Sequence, residues 1–356
     1  MTKLRTIAVI GCGEAGYEIH LPALALMPGI STVGACDPDS VRAERVSKKF
    51  GVRVYSTVQE LLGATKPEVV IVATPPDLHT SVCLDAIAAG CHVICEKPFV
   101  PVAEEGRRII AAADAAGTRI ALNHEFREMP IFRALLDATR SDNKAKVFFA
   151  QLWQNTYVPP WTEGGWRGAM KRRTLHEAGV HLIDYIIALF GEMPEAVWAS
   201  MSAGGQSDGG SDALTVVSLE FSGGRMAQVV QNRLCKGETQ YFEIRADTNE
   251  ASYRASFGGR ARITTGLHRS TRPHLRIDYG ASGMAWVERG NKRKLLARNP
   301  ADPRVVSTRR VLELSLKAFE DGSRASATAE DGLDALRVID ACYSAAHTGM
   351  RTTVSG

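Results

Sequence analysis

The stretch T-I-A-V-I-G-C-G-E-A-G, Thr6 to Gly16, joins a short apolar run to three glycines spaced G-x-G-x-x-G, and a helical pattern follows it. In a strand–turn–helix unit the first glycine makes a tight turn, the second lets backbone N–H groups approach a pyrophosphate, and the third lets helix and strand pack closely. The helix N-terminus adds positive potential. A purely structural glycine turn is the alternative. This context predicts a dinucleotide-binding loop formed by Gly11, Cys12, Gly13, Glu14, Ala15 and Gly16.

An acidic residue, Asp37, ends the second predicted strand in C-D-P-D. A carboxylate at this point of such a unit hydrogen-bonds the adenosine ribose hydroxyls and would repel a 2′-phosphate. The sequence therefore favours NAD as the cofactor over NADP. Arg42 and Arg45 lie one to two turns further on, where they can soften that preference.

Residues 1–123 alternate apolar runs with helical patterns, which is typical of a doubly wound parallel sheet. Helices Asp77–Ala89 and Ala103–Ala116 end before Gly90 and Gly117, as helix C-termini commonly do. The predicted strands are Thr6–Ile10, Thr32–Cys36, Val52–Val54, Val69–Val72, His92–Cys95 and Arg119–Leu122.

After Asn123 a helix at about Arg127–Thr139 leads into alternating β-rich segments joined by short turns, which indicates an antiparallel sheet. Two helices, Val305–Glu320 and about Ala329–Ala346, close the chain. The predicted strands are Ala145–Asn155, Ala196–Ala203, Leu214–Phe221, Arg225–Leu234, Gln240–Arg245, Leu275–Tyr279 and Met284–Glu288. We therefore predict an α/β protein with an N-terminal Rossmann domain, 1–123, and a C-terminal α+β domain, 124–356, whose sheet is open and mainly antiparallel.

The composition fits a soluble protein of two domains, with 356 residues, 45% hydrophobic and 23% charged. No signal-peptide pattern or membrane-length apolar run is found, so we expect a cytoplasmic protein without a membrane partner. The seven cysteines form no C-x-x-C pair, and we expect buried reduced thiols and no metal site.

Charge is unevenly distributed along the chain. Residues 254–310 hold fourteen Lys/Arg and three Asp/Glu, a net +11 against −7 for the remainder. Solvated strand faces and a subunit surface are one explanation, and attraction of an anionic substrate is the other. Nucleic acid is not expected, because stacking aromatic residues are not interleaved with these basic residues.

Two segments follow later predicted strands, at the edge where doubly wound sheets bind ligands. A-T-P-P-D-L-H, Ala73 to His79, and C-E-K-P-F, Cys95 to Phe99, both occupy this position. Pro98 can fix a sharp turn in which its peptide bond can be cis. The cofactor contacts predicted here are Thr74, Pro75, Pro76, His79, Glu96 and Lys97.

A polar helical stretch, R-T-L-H-E-A-G-V-H-L-I-D-Y from Arg173 to Tyr185, poses a question of role: a metal site, a proton-transfer site or a core helix. His176 and His181 are five residues apart, which places them about 140° apart around a helix, so they cannot bind one ion. Glu177 and His181 are four apart and share a face. Gly179 between them leaves room for something to approach.

These motifs together resemble the glucose–fructose oxidoreductase / inositol dehydrogenase / rhizopine-catabolism (Gfo/Idh/MocA) family. The resemblance rests on G-C-G-E-A-G, H-L-P-A-L, A-T-P-P-D-L-H, E-K-P and E-A-G-V-H-L-I-D, and it covers nearly the whole chain. It implies a Rossmann domain followed by a domain whose open sheet forms dimers or tetramers. It also implies oxidation or reduction of a hydroxyl-bearing carbon on a sugar, an inositol or a derivative.

The resemblance implies specific catalytic roles as well. His181 matches the family's catalytic histidine, on a helix over the nicotinamide, and Lys97 matches its lysine. A histidine suits removal of the hydroxyl proton, and a lysine cation stabilises the charge that develops on the oxygen. The family usually has aspartate where this chain has Glu177, which we expect to be the supporting catalytic carboxylate that contacts the substrate or helps to polarise His181. Many members have a glycine run where this chain has K-R-R-T, Lys171 to Thr174, so the resemblance does not identify a particular substrate. We assign Asp184 to orienting the histidine or to a structural role.

Weaker candidates lie near these motifs. Asn123 and Arg127 either contact substrate or nicotinamide, or make hydrogen bonds at the domain junction. Trp161 and Trp166 either stack on a sugar or belong to the core. His176 is expected to pack or to face solvent.

Three functions remain in view. The favoured one is an NAD-dependent oxidoreductase of a sugar, glycoside or inositol. A glycoside-modifying enzyme that oxidises transiently and keeps its NAD bound is the nearest alternative, and a non-catalytic nucleotide sensor is the third.

Overall fold

The computed structural model describes residues 6–141, 146–158, 165–204, 211–236, 241–257, 261–268, 271–279 and 283–354. These described residues form ten α-helices: α1 Leu21–Ala25, α2 Ser40–Phe50, α3 Val58–Thr65, α4 His79–Ala88, α5 Ala103–Ala116, α6 Pro130–Ser141, α7 Trp166–Ala169, α8 Val180–Phe190, α9 Pro303–Asp321 and α10 Ala329–Thr348. Short π-helical segments cover Ala15–His20 and Thr174–Ala178, and short 3-10 segments cover Pro76–Leu78, Glu125–Glu128 and Ser222–Gly224. None of the described helices combines the length and apolar character needed to cross a bilayer.

The described strands are β1 Thr6–Ile10, β2 Ser31–Cys36, β3 Val54–Tyr55, β4 Val69–Val72, β5 His92–Cys95, β6 Ile120–Leu122, β7 Val147–Asn155, β8 Ala196–Ser202, β9 Leu214–Phe221, β10 Arg225–Asn232, β11 Tyr241–Thr248, β12 Ser252–Phe257, β13 Ala261–His268, β14 Thr271–Tyr279, β15 Met284–Arg289, β16 Lys292–Arg298 and β17 Thr352–Thr353. Their contacts divide the chain into two compact units, Met1–Glu128 with Arg304–Leu336 and Met129–Pro303 with Arg337–Gly356.

The first unit contains a six-stranded parallel sheet in the order β3-β2-β1-β4-β5-β6. This is the doubly wound order, in which successive strands are added on one side of β1 up to β3 and then on its other side from β4 onward. Because helices cover both faces, the strands are almost continuously apolar, as β4 V-V-I-V shows. Val69 and Ile71 belong to one core cluster and Val70 and Val72 to the other. The predicted Rossmann fold is confirmed.

The second unit contains a nine-stranded sheet in the order β16-β15-β12-β11-β7-β10-β9-β8-β17. Only β7 and β10 run parallel in it, so the predicted open, mainly antiparallel sheet is confirmed. Phe132 of α6 lies against Tyr185 of α8, with ring centroids 5.7 Å apart, and its carbonyl accepts the Tyr185 hydroxyl at 2.8 Å. β13 and β14 pair only with each other within the described sheets.

The compact division differs from the predicted boundary after residue 123. Residues 304–336 join the first unit, because Leu312, Leu316 and Phe319 of α9 complete one face of its core and Leu333 and Leu336 of α10 complete the other. The helix α9 and the first part of α10, both predicted as part of the second domain, therefore pack on the parallel sheet of the first unit.

Candidate functional site

The glycine loop after β1 has the backbone that its spacing predicts. Gly11 adopts φ +100°, and a Cβ there would collide with the backbone of Ala73 after β4. A Cβ on Gly16 would strike the carbonyl oxygen of Gly11, whereas one on Gly13 would meet no atom within 4 Å. Gly11 and Gly16 are thus required by close packing, and Gly13 leaves open space above the loop.

The chain after the loop begins with a π-helical segment, Ala15–His20, and becomes α-helical only at Leu21. The helical pattern after the third glycine does not distinguish this π-helical start from a regular α-helix. In a π turn the hydrogen-bonded groups belong to residues five apart, and such turns are frequent at functional sites. This one places the buried His20 at its end.

Asp37 is buried and ties β2 to the glycine loop. Its Oδ2 accepts the Cys12 backbone N–H at 2.8 Å, and its Oδ1 accepts the Asp39 N–H at 2.9 Å. An ionised carboxylate has about four acceptor positions, so it can still accept ribose hydroxyls. Arg42 Nη1 lies 3.8 Å from Asp37 Oδ2. Burial, followed by the charge of Asp37, raises the pKa of the Cys12 thiol to about 12, so this thiol stays protonated.

Thr74 and Pro98 stand on neighbouring segments and are joined by His79. The Nε2 atom of His79 lies 2.9 Å from the Thr74 carbonyl oxygen, and its Nδ1 lies 3.1 Å and 3.0 Å from those of Pro98 and Phe99. Burial lowers the pKa of the ring although these carbonyls oppose the shift. The Lys97–Pro98 peptide bond is cis, one of the two forms that the sequence allowed.

Glu96 is the centre of a buried polar network beneath Lys97. Its Oε1 contacts His20 Nε2 at 2.8 Å and accepts Asn123 Nδ2 at 2.7 Å, and its Oε2 accepts the Lys97 backbone N–H at 3.1 Å. Burial alone would raise the pKa of this carboxyl. The bond to His20, the charges of His20 and Lys97 and the Asn123 amide outweigh burial and lower the pKa to about 2. An ionised Glu96 therefore fixes the backbone from which the half-buried Lys97 extends.

In the second unit, the stretch Arg173–Tyr185 that contains His181 is not one regular helix. Residues Thr174–Ala178 form a π turn, closed by the Gly179 N–H to the Thr174 carbonyl at 2.9 Å, and α8 begins at Val180. The regular 100° spacing used to place Glu177 beside His181 does not hold across this turn. Both histidines of the stretch are buried. Burial, followed by the charge of Arg172, lowers the pKa of His176 to about 4, which keeps its ring neutral near pH 7.

Two arginines bind the Glu177 carboxylate. Arg167 Nε donates to Oε1 at 2.6 Å, and Arg173 Nε donates to Oε2 at 3.3 Å. Arg173 is itself buried, so at least this residue of K-R-R-T does not face solvent. The side chain of Arg172 lies over Tyr343, 4.2 Å from the ring centroid. The Glu177 side chain, one methylene longer than aspartate, thus reaches two guanidinium groups.

Asp212 fixes the start of the same π turn. Its carboxylate accepts the backbone N–H groups of Arg173 at 2.7 Å and Leu175 at 2.9 Å, and the Tyr343 hydroxyl at 3.0 Å. A carboxylate at the N-terminus of a helical turn satisfies donors that the turn leaves unbonded. The position of the turn that precedes His181 is thus set by Asp212, which lies 31 residues after His181 and just before β9.

Gly179 leaves room for a side chain of the protein itself. A Cβ on Gly179 would lie 2.5 Å from Gln231 Oε1 and 2.6 Å from the Leu175 carbonyl oxygen. Gln231 is buried, and its amide donates to Gln154 Oε1 at 2.7 Å. The space that the sequence analysis left for an approaching group is therefore occupied by β10.

We expect Gly179→Ala to destabilise the protein by about 1–3 kcal/mol, the usual cost of overpacking. The φ of Gly179 is −69°, which alanine adopts readily, so the cost arises from the collision alone. Chemical unfolding at equilibrium measures it. Gly63→Ala is the matched control, because Gly63 lies within α3 and an added Cβ there meets nothing within 4 Å. That control should gain about 0.5–1 kcal/mol, and equal shifts for both variants would contradict this account of Gly179.

Burial bears on three of the predicted site residues. His79, Asn123 and Asp184 are each 0% exposed, which favours a supporting role for each of them over direct contact with a ligand. His79 and Asn123 support the segments around Thr74 and Glu96 instead, and Asp184 lies inside the core of the second unit. Their motifs lie beside ligand-binding segments, so the sequence alone does not tell whether each residue contacts the ligand or supports another residue that does.

The structure also shows what surrounds two of the weaker candidates, Arg127 and Trp166. Arg127 is buried and donates to the Ser326 carbonyl at 2.8 Å and to Asp331 at 3.2 Å, so it joins the chain to the returning helices of the first unit. Trp166 is partly exposed, with the Arg167 guanidinium 4.5 Å from its ring centroid. Trp161 lies outside the described residues. Within the described ranges no three His, Cys, Asp or Glu side chains are grouped to hold a metal, and six cysteines are buried.

Comparison with protein families agrees with both units. Residues 5–124 match the Gfo/Idh/MocA oxidoreductase family, NAD-binding Rossmann fold, and residues 132–252 match the family's C-terminal domain. The chain belongs to the Gfo/Idh/MocA family. The first unit is accordingly an NAD-binding domain, and the predicted resemblance is confirmed.

Characterised relatives of this Gfo/Idh/MocA protein include enzymes of sugars and inositols. D-apiose dehydrogenase of Paraburkholderia graminis is 28% identical over 217 residues, which are 61% of this chain and 57% of that enzyme. The scyllo-inositol 2-dehydrogenase (NADP(+)) IolW of Bacillus subtilis is 31% identical over 202 residues, 55% of this chain and 54% of that enzyme. The alignments thus span little more than half of either relative.

The fold of this family member recurs in solved structures. An oxidoreductase from Agrobacterium radiobacter, crystallised with NAD⁺, L-tartaric acid and magnesium, superposes with a TM-score of 0.83 over 99% of each chain. Its sequence identity is 17%, so the likeness concerns the fold.

The residues of the glycine loop fit the cofactor that the family binds. The open space above Gly13 suits a pyrophosphate, and Asp37 retains acceptor positions for ribose hydroxyls. The Thr74 hydroxyl is buried and has no hydrogen-bond partner among the described residues, which leaves a donor for a bound ligand. These three features would hold a dinucleotide along the carboxyl edge of the parallel sheet.

Several supporting residues were missed by the sequence analysis. Each of them acts through a partner elsewhere in the sequence. The separation is 76 residues for His20, 37 to 39 for Asp212, and 4 to 10 for the two arginines that bind Glu177. The H-L-P-A-L motif contains His20, so a signal for one of them was present. The others carry no spacing that distinguishes them from surface polar residues.

Proposed function

We propose that this family member is an NAD-dependent oxidoreductase acting on a ring hydroxyl or ketone of a sugar, glycoside or inositol-type substrate. The observation that carries the proposal is Lys97, which follows β5 at the carboxyl edge of the NAD-binding sheet and whose backbone is held by the ionised Glu96. The curated relatives named above support the substrate class.

Each residue has a distinct task in this proposal. Bound NAD supplies the hydride acceptor for oxidation, and its reduced form supplies the donor for reduction. His181 takes the substrate hydroxyl proton during oxidation and returns it during reduction, as a general base and acid. The Lys97 ammonium group stabilises negative charge on the reacting oxygen. Glu177 is a positioning residue, because its carboxylate is bound by Arg167 and Arg173.

An absorbance assay tests the function. The protein is mixed with NAD⁺ or NADP⁺ and a panel of polyols, sugars, uronates and glycosides, and reduced nicotinamide is followed with Lys97→Ala as control. Signal with one substrate group that disappears in the control supports the dehydrogenase. Cofactor binding without signal across the panel would contradict it and favour the enzyme with permanently bound NAD or the sensor.

Asp37 supports NAD in preference to NADP. We expect Asp37→Asn to lower kcat/KM for NAD⁺ by about tenfold or more, because a charge-assisted hydrogen bond contributes about 1.5–3 kcal/mol. The ratio of the kcat/KM values for NADP⁺ and NAD⁺ should rise, since the repulsion of a 2′-phosphate is removed and Arg42 loses one of its two neighbouring carboxylates. Asp39→Asn is the control, because asparagine caps α2 as well as aspartate does. An unchanged ratio in Asp37→Asn would contradict the assignment.

A homodimer or homotetramer through the nine-stranded sheet forms part of the proposal. Trp153, Trp198, Val216 and Met226 are all exposed, on strands β7, β8, β9 and β10 of that sheet. Exposed apolar patches of this kind commonly mark protein–protein interfaces. A cytoplasmic location is proposed on the absence of any disulfide among the cysteines.

A further inference from the structure

Glu125 is a buried carboxyl group that the proposed chemistry does not use. It begins the 3-10 segment Glu125–Glu128, directly after β6, and only 6% of its surface is exposed. β6 pairs with β5 through Cys95 and Leu122, and the Asn123 N–H donates to the Cys95 carbonyl at 2.8 Å. The chain segments that carry Lys97 and Glu125 therefore leave adjacent strands at the same edge of the sheet.

Two carboxyl groups and one ammonium group share this edge. Glu96 has the partners that stabilise its charge: His20, Asn123 and the Lys97 backbone. Burial, followed by the charge of Glu96, raises the pKa of Glu125 to about 8, although Lys97 and Arg304 oppose the shift. Environments that drive the pKa values of two neighbouring carboxyl groups apart in this way are typical of acid–base sites. Glu96 is thus the ionised member near pH 7, and Glu125 is the protonated one.

The other charged groups around Glu125 are accounted for. Arg304, at the start of α9, lies 3.6 Å from the exposed Glu14. On the 3-10 segment itself, Arg127 binds Asp331, and Glu128 accepts the Ser326 hydroxyl at 2.5 Å. The neighbouring His124 is completely buried. Lys97 is therefore the positive group of this edge that is both close to Glu125 and assigned to the reaction.

We propose that Glu125 is a positioning residue that controls, through its own protonation, how much of the Lys97 charge is available to the reacting oxygen. The inference rests on the proposed function. When Glu125 holds its proton it is neutral and does not compete with the substrate oxygen for the ammonium group of Lys97. When Glu125 loses that proton to solvent, its carboxylate attracts the same ammonium group and weakens stabilisation of the developing alkoxide.

The pH dependence of turnover tests the inference. We expect kcat/KM of the native enzyme to fall with an apparent pKa near 8, and Glu125→Gln, which stays neutral, to lose that decline. Glu125→Asp should retain the decline, with its midpoint displaced. Glu128→Gln is the matched control, since it removes a buried carboxyl from the same 3-10 segment without altering the proposed group. An identical alkaline decline in Glu125→Gln and the native enzyme would overturn the inference.

A second measurement does not require turnover. Carbon-13 NMR of the protein labelled at glutamate Cδ and lysine Cε should show one carboxyl, absent in Glu125→Gln, that titrates near pH 8. The Lys97 Cε resonance should shift with the same midpoint, and that shift should vanish in Glu125→Gln. A Glu125 carboxyl that titrates near pH 4–5, or a Lys97 resonance unaffected by it, would overturn the inference. Absence of turnover in the native protein with correct titrations would instead count against the proposed function.

Discussion

Replacing His181 by alanine is expected to lower kcat by about 10²–10⁴-fold, the usual contribution of a positioned general acid or base. KM should change much less, because the group acts on the transition state more than on the bound substrate. Lys97→Ala should lower kcat by about 10²–10³-fold, since it removes the positive charge that stabilises the oxygen. Steady-state kinetics with the substrate from the panel measure both effects.

His176 provides the control for His181. It lies five residues earlier, is also buried, and has a pKa lowered to about 4, so near pH 7 its ring stays neutral and is a weak base. His176→Leu should therefore keep kcat within about tenfold of the native value if it folds, and circular dichroism shows whether each variant does. If both histidine variants lose the same activity while folded, His181 has no special role in proton transfer.

Glu96→Ala is expected to destabilise the protein by about 3–5 kcal/mol, the usual cost of removing one partner from a buried ion pair. The loss leaves His20 and the Asn123 amide without their common acceptor. Because Glu96 also accepts the Lys97 backbone N–H, kcat should fall together with stability. Urea unfolding at pH 7, read by fluorescence and circular dichroism, measures the first effect.

The pH dependence of this loss has a definite sign. The pKa of Glu96 is about 2 in the folded protein and about 4.3 for an ordinary glutamate, so its contribution to stability is complete above the higher value. It disappears as the pH falls through this interval toward 2. The difference between native protein and Glu96→Ala should accordingly shrink below pH 4. Glu104→Ala is the control, because Glu104 is exposed and its pair with Arg107 at 3.0 Å lies on the surface. A loss of similar size in both variants would contradict the buried network.

Much of the fold was predictable because local patterns and tertiary structure agree in the first unit. β1, β4 and β5 begin and end where their apolar runs do, and the glycine loop follows β1 as its spacing requires. β16, K-R-K-L-L-A-R, was missed because its charged residues hide the alternation of an edge strand. The return of α9 and the first part of α10 to the parallel sheet depends on packing between distant segments, which hydrophobic periodicity does not show.

The candidate site was predictable at the level of motifs but not of contacts. Gly13 and Asp37 lie where the dinucleotide motif places them. The π turn before His181 was not foreseen, because five-residue turns have no sequence period of their own, and it removes the simple pairing of Glu177 with His181. The burial of a side chain cannot be read from a sequence motif, so His79 was predicted to contact the cofactor although its side chain is buried.

The central claim is hydride transfer between a ring carbon of a polyhydroxylated substrate and the nicotinamide. The most direct measurement uses substrates from the panel that carry deuterium on the reacting carbon, with mass spectrometry of the nicotinamide, including any that remains bound to the protein. The proposed function predicts that oxidised substrate appears with one deuterium in the reduced nicotinamide, and that both form about 10²–10³-fold more slowly with Lys97→Ala. Oxidation of substrate without deuterium in the nicotinamide, or bound cofactor that never gains label from any substrate, would contradict it.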